Sequence, residues 1–240
     1  MKCKLETEYI IKTSDCDHSA CLGIPQAFEM FMDIASIHAE SIGVGAKFMM
    51  EKGMFWLTAK TRVHIYRKPR MMETVRLSTW PLKPRGVQEI RDYSIHSQKG
   101  EVLLEGKTQW AMMDMRSGGL VKIQDVFPDD LDLMDEAVLN ESFARISEDV
   151  SDCTEYAEYK VRSVDIDLGG HMNNTAYVKA LFGTLSTEEL DKMNICDCEI
   201  CYKNPCFEGD VLKFCKRTTE KGMEIVVRSK DKTAILAKLF

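Results

Sequence analysis

Asp165-Ile-Asp167-Leu-Gly-Gly170-His171-Met-Asn173-Asn174 decides the reading of this chain. A degraded copy of its opening, Asp15-Cys-Asp17-His-Ser-Ala20-Cys21-Leu22, stands near the other end. Each copy follows an alternating, strand-like run, Tyr9-Ile-Ile-Lys-Thr13 in the first and Tyr159-Lys-Val-Arg-Ser163 in the second. Each leads into a segment with helical spacing. A second pair of anchors follows. Tyr66-Arg-Lys-Pro69 through Val75 aligns with Tyr202-Lys-Asn-Pro205 through Val211. Ordered anchors, repeated, predict a duplicated unit of about half the chain. The copies are unequal, because Cys21 and Pro25 stand where the second copy has His171 and Thr175.

Between the loop and the second anchor the first copy runs longer. Pro25 to Ile42 places Phe28, Phe31, Met32, Ala35, Ala39 and Ile42 on one helical face, with Pro25 in the first turn and Gly43 at the stop. His38 falls on that apolar side and reads as a core histidine with its hydrogen bonds met. From Phe55 to Asp114, alternating β-branched and aromatic runs separated by Pro and Gly turns predict strands. The second copy predicts a shorter helix near 174–185, then strands from Glu199 onward. One long helix followed by antiparallel strands, twice, is an α+β layout with helices on one sheet face. The expected boundaries are 1–124 for the first unit, 125–152 for an acidic connector with helical spacing at Leu131, Met134 and Val138, and 153–240 for the second.

The totals exclude some classes. A formal charge of -6 disfavours nucleic acid. No apolar run reaches the ~18–20 residues of a membrane span. The start lacks the apolar core of an export signal, so the nine cysteines read as reduced thiols in a cytoplasm. Charge is uneven: nine Lys/Arg between Lys60 and Asp92 face three carboxylates, and twelve Asp/Glu between Asp125 and Glu158 face Arg145 alone. The bland reading of the basic run is a set of solvated strand faces.

Asp165, Asp167, Gly170, His171, Met172, Asn173, Asn174 and Tyr177 resemble the Asp-x-Asp-x-x-Gly-His-[Val/Met]-Asn-Asn-x-x-Tyr run of hot-dog thioesterases. The tandem arrangement and the Trp110-x-x-x-Asp114 run are similar to those of the bacterial acyl-ACP thioesterases. That resemblance covers nearly the whole chain. It implies a tandem (double) hot-dog fold, with a curved antiparallel sheet wrapped around long helices. It implies hydrolysis of fatty acyl-ACP to free fatty acid, without metal or redox cofactor. Acyl carrier protein is the implied partner, the basic run its functional reading as a landing surface, and a homodimer is allowed for. An acyl-CoA thioesterase of the same fold, or a non-catalytic acyl-binding protein, are the alternatives. Two positions depart from the family: Gly169 stands where an Asn is frequent, and Pro205, just before Cys206, where a Glu is.

A thioester needs a base or nucleophile and donors for the developing oxyanion. Asp167 is the expected base or nucleophile. Backbone N–H groups near Gly170 and His171, at the start of the next helix, are the expected oxyanion donors. His171 is expected to meet the thioester oxygen or orient Asp167, and Asn173 to position water or carboxylate; the plainer readings are a helix cap for Asp167 or Asn173 and a structural hydrogen-bonder for His171. Asn174 reads as a substrate contact or, more plainly, as the helix cap, and Asp165 as a turn former. Cys206 is the weakest nucleophile candidate, since a strand Cys is usually a small buried apolar residue. Cys196-x-Cys198-x-x-Cys201 lacks a second ligand pair, so no metal is expected.

Overall fold

The computed structural model describes residues 3–135, 137–220 and 222–240. The first two residues of the amino-terminal reading, and Glu136 of the acidic stretch, lie outside them. The chain divides into two compact units, Met1–Glu141 and Ser142–Phe240, so the division falls inside that acidic stretch.

The first unit opens with β1 (Leu5–Ile10), then α1 (Ile24–Ser41) and α2 (Ala46–Lys52). Four strands follow: β2 (Met54–Ile65), β3 (Thr74–Pro81), β4 (Gln88–Ser97) and β5 (Val102–Asp114). They pair antiparallel in the order β1-β3-β4-β5-β2. α1 buries Ala27, Phe28, Phe31, Ile34, Ala35 and His38, the three- and four-residue spacing of a single face. Phe31 stacks on Tyr93 of β4 with centroids 4.6 Å apart. The ring also rests on Gly106 of β5, where an added Cβ would collide with it. Burying that one ring contributes about 2–3 kcal/mol. The sequence reading missed α2. Gly53, left-handed at φ 66°, ends it.

The expected helix around Leu131, Met134 and Val138 does not form; among the described residues that stretch is irregular. Its backbone is satisfied by sheet side chains instead. The Asp92 carboxylate accepts the Val138 N–H at 2.9 Å, and the Lys107 ammonium donates to the carbonyls of Leu139 and Glu141. Leu131 joins a core cluster with Cys3, Ile42, Val44, Met112, Ile123 and Phe127. A groove that takes the segment extended outweighs a weak local helical pattern.

The second unit repeats the plan: β6 (Thr154–Lys160), α3 (Asn174–Gly183), α4 (Thr187–Met193), β7 (Asp197–Tyr202), β8 (Val211–Thr219), β9 (Gly222–Ser229) and β10 (Lys232–Leu239). Its order, β6-β8-β9-β10-β7, matches the first unit strand for strand. α4 was also missed, although Ser186 and Glu189 form a capping box that marks its start. No helix among the described residues is long and apolar enough to cross a membrane.

Backbone hydrogen bonds correct the alignment of the second anchors by one residue. Leu22 N–H donates to the Pro69 carbonyl, and Met172 N–H to that of Cys206. Ile11 N–H donates to Glu73, and Val161 N–H to Asp210. Pro69 therefore corresponds to Cys206 and Lys68 to Pro205, although the residue types line up as Tyr66/Tyr202 and Pro69/Pro205. Loop positions correspond at a spacing of 150 (Asp17/Asp167) and anchors at 137 (Pro69/Cys206), so the first unit carries 13 extra residues between them.

Candidate active-site loop

The two loops share one backbone. Asp17 N–H donates to the Cys21 carbonyl at 2.8 Å, and Asp167 N–H to that of His171 at 2.9 Å. Ala20 N–H and Gly170 N–H close the same turn onto the carbonyls of Asp17 and Asp167. The corner is left-handed in both, with φ 57° at Ala20 and 75° at Gly170. Glycine takes that conformation without the Cβ strain that alanine bears. Below each loop a clasp fixes the chain. Tyr9 OH and the Lys12 N–H donate to Asp15, and Tyr159 OH and the Arg162 N–H donate to Asp165, all between 2.8 and 2.9 Å at their shortest. Asp165 is thus a buried acceptor joining strand to loop, more than a turn former.

The side chains on this shared frame differ. In the first loop, Asp17 is tied down by the Lys68 ammonium at 2.8 Å, by Ser19 Oγ at 2.6 Å and by the Ser19 N–H at 2.9 Å. Burial works against the charged carboxylate, but those donors prevail and hold its pKa below the ordinary range. In the second loop, Asp167 accepts from the Gly169 N–H at 2.8 Å and pairs with no cation among the described residues. Leu168, at the tip, is fully exposed. Asp167 and His171 are half-buried, and Gly170 and Asn173 are exposed.

Several expected roles meet the geometry differently. The Gly170 N–H is committed to the turn, which leaves His171 as the corner N–H without a partner among the described residues. Neither belongs to the helix start, because α3 begins at Asn174. The cap is Asn173, not Asn174: Asn173 Oδ1 accepts from the Thr175 N–H at 2.9 Å and from Thr175 Oγ1 at 3.0 Å. Asn174 is the first helical residue, and its carbonyl accepts from Tyr202 OH at 3.2 Å. Among the described residues, the His171 ring makes no hydrogen bond to the Asp167 carboxylate. Its ring leans on Phe207, with centroids 5.3 Å apart and planes at 56°.

Cys206 closes the floor. Its N–H donates to Tyr177 OH at 2.9 Å, and its carbonyl takes the Met172 N–H. Cys206 is 1% exposed, and burial pushes its thiol pKa up. A buried thiol held protonated is a poor nucleophile. No three His, Cys, Asp or Glu side chains among the described residues gather in metal-binding range.

In the basic run, Arg67 pairs with Glu73 and Glu101, Arg62 with Glu141, and Arg76 with Glu6. Arg91 is buried. Much of that charge is internal to the unit, as the bland reading has it. Arg70, Lys83 and Arg85 are exposed.

Family models for the acyl-ACP thioesterase N-terminal domain and C-terminal domain match residues 2–131 and 148–236. Among curated proteins, the chain is 22% identical over 237 residues to an oleoyl-acyl carrier protein thioesterase of Arabidopsis thaliana, covering 89% of this chain and 64% of that one. Against a palmitoyl-acyl carrier protein thioesterase of Cuphea hookeriana, it is 26% identical over 69% of this chain and 41% of the relative. The chain thus spans two-fifths to about two-thirds of the length of these relatives. An acyl-ACP thioesterase from Bacteroides thetaiotaomicron superposes with a TM-score of 0.85 at 16% identity, covering 99% of this chain and 97% of that one. The fold is therefore the tandem hot-dog.

Proposed function

The chain belongs to the acyl-ACP thioesterase family, and on that premise we propose that it hydrolyses fatty acyl-ACP to free fatty acid and ACP, with Asp167 as the general base. The observation that carries the assignment to the second loop is the difference between two carboxylates on one backbone. Asp17 is neutralised by Lys68, while the Asp167 carboxylate, among the described residues, holds a single hydrogen bond and no cation. A base must keep a lone pair free for the proton it takes.

Asp167 accepts a proton from water as the water oxygen bonds to the thioester carbon. The carbonyl oxygen gains charge, which the His171 N–H is free to meet. The tetrahedral species then expels the carrier thiolate by breaking the carbon–sulfur bond, and the thiolate takes up a proton. Gly170 lets substrate come close to the backbone at an exposed corner. Asn173 caps α3 and so fixes the entry of the loop into the helix. The imidazole of His171, set against Phe207, is the group that meets the thioester oxygen.

Acyl carrier protein is the partner in this reading, received at the exposed cations Arg70, Lys83 and Arg85. Nine cysteines, with no disulfide among the described residues, suit a reducing cytoplasm. A second reading, acyl-chain binding without hydrolysis, rests on Gly169 and Pro205, which bring no polar side chain to the loop. A thiol-release assay on acyl-ACP, acyl-CoA and acyl-pantetheine tests both. Release from acyl-ACP supports hydrolysis; binding of acyl chains with release from none supports the second reading.

A further inference from the structure

The first unit holds a half-open cavity of about 230 Å³ between its helices and its sheet. Its helix side is mostly apolar, with Ala35 and Ala39 of α1, Ala46 and Met49 of α2, and Phe55 and Trp56 of β2; Ser36 and Glu40 of α1 also line it. Small residues on both helices leave the room. The sheet side is different, because Glu89, Arg91 and Trp110 line it. Glu89 and Trp110 stand opposite each other in the β4–β5 register.

Glu89, Arg91 and the indole nitrogen of the half-buried Trp110 are buried, and their hydrogen bonding is incomplete. Glu89 is 2% exposed and Arg91 3%. Arg91 donates from Nη1 to His38 Nδ1 at 2.9 Å, and its Nη2 lies 3.6 Å from Glu89, beyond hydrogen-bond range. Among the described residues, Glu89 Oε1 and Trp110 Nε1 have no hydrogen-bond partner. A buried carboxylate oxygen and a buried indole N–H left unpaired cost stability that a wholly apolar cavity would not incur.

We propose that this cavity is a specificity site for an aliphatic chain bearing a hydroxyl group at its far end, with Glu89 and Trp110 as the recognising residues. A hydroxyl both donates and accepts, so one group can answer Glu89 Oε1 and the Trp110 N–H together. A methyl end answers neither. A keto oxygen answers only the indole, and a terminal carboxylate brings a second negative charge to Glu89. Burial raises the Glu89 carboxyl pKa against the pull of Arg91, and a hydroxyl suits either protonation state. The ligand class follows from the walls and the unpaired atoms, and does not depend on the catalytic loop.

Trp56 and Trp110 are two of the three tryptophans, and both line the cavity. Intrinsic fluorescence of the full chain therefore reads its occupancy. The probes are methyl octanoate and methyl 8-hydroxyoctanoate, whose neutral heads keep Glu40 at the cavity wall out of the comparison. The hydroxylated probe is expected to bind about tenfold more tightly. Trp110→Phe keeps the ring, removes the N–H and leaves Trp56 as reporter; Glu89→Gln removes the charge at nearly equal volume. Each should cut the preference several-fold while thermal melting confirms a folded chain. Equal affinity for the two probes, binding of neither, or a preference untouched by both variants would overturn the proposal. No thioester is present, so its failure is separate from any failure to release thiol from acyl-ACP.

Discussion

The Lys68 ammonium lies 2.8 Å from the Asp17 carboxylate, and the residue in its place beside Asp167 is Pro205. This one exchange converts a paired, structural carboxylate into an unpaired one on the same backbone. It also gives the family departure at Pro205 a local meaning, because the position reaches the loop aspartate directly.

Asp167→Asn keeps the side-chain shape and its acceptor for the Gly169 N–H but removes the base. Thiol release should fall by about a hundredfold or more in kcat. Asp17→Asn should leave kcat within a few-fold and lower the melting temperature, since it breaks the pair with Lys68. Equal losses from both substitutions would mean that the first loop also works.

Pro205→Lys should place an ammonium against Asp167, as Lys68 does against Asp17. The expected result is a kcat reduced about tenfold or more and the acid limb of the pH–rate profile moved to lower pH, because a nearby cation favours the ionised carboxylate. Pro205→Met, of similar reach without charge, is the control and should leave that limb in place.

Two buried groups give stability opposite pH dependences. Desolvation, with the Arg91 charge beside it, lowers His38 to about 4 from the ordinary 6.5. Between these values the unfolded chain binds a proton that the folded chain does not, so His38 costs stability as pH falls from 6.5 towards 4. Arg91 must donate to Nδ1, so the ring proton sits on Nε2, which has no partner. The core histidine is only half satisfied. His38→Gln retains an acceptor for Arg91, and its melting temperature should fall less than wild type between pH 7 and pH 5.

Asp92 runs the other way. Burial pushes its carboxyl up to about 7 from 3.8, against the Val138 N–H and Lys107. The folded state keeps a proton that the unfolded state loses, so stability is full below about 4 and lost as pH rises towards 7. Asp92→Asn should gain on wild type between pH 5 and pH 8, on the order of 5 °C in melting temperature. An unchanged difference across that range would remove Asp92 as the source.

Because Arg67 and Lys68 are held in ion pairs, the carrier test belongs to exposed cations. Arg70, Lys83 and Arg85 reversed to Glu should raise KM for acyl-ACP several-fold, with the effect shrinking as salt screens the attraction. Acyl-pantetheine, a neutral thioester, should be unaffected. Acyl-ACP kinetics indifferent to both salt and reversal would favour the acyl-CoA reading.

The sequence by itself determined the duplication, the α+β class and the loop. Each rests on local signals: alternation in the strands, the Phe28–Ile42 stripe, and a polar turn with glycine at a left-handed corner. It also located the asymmetry between Cys21 and His171. It did not determine the anchor register, because matching Tyr and Pro side chains outvoted a one-residue shift that only the backbone hydrogen bonds of Leu22 and Met172 reveal. Nor could it exclude a helix near Leu131, where the competing partners, Asp92 and Lys107, come from β-strands some 30 to 45 residues earlier. The pairing of Asp17 with Lys68 spans 51 residues. Which carboxylate is paired, and which polar atoms line a cavity, are properties of side chains brought together from distant segments. Only the tertiary structure could decide them.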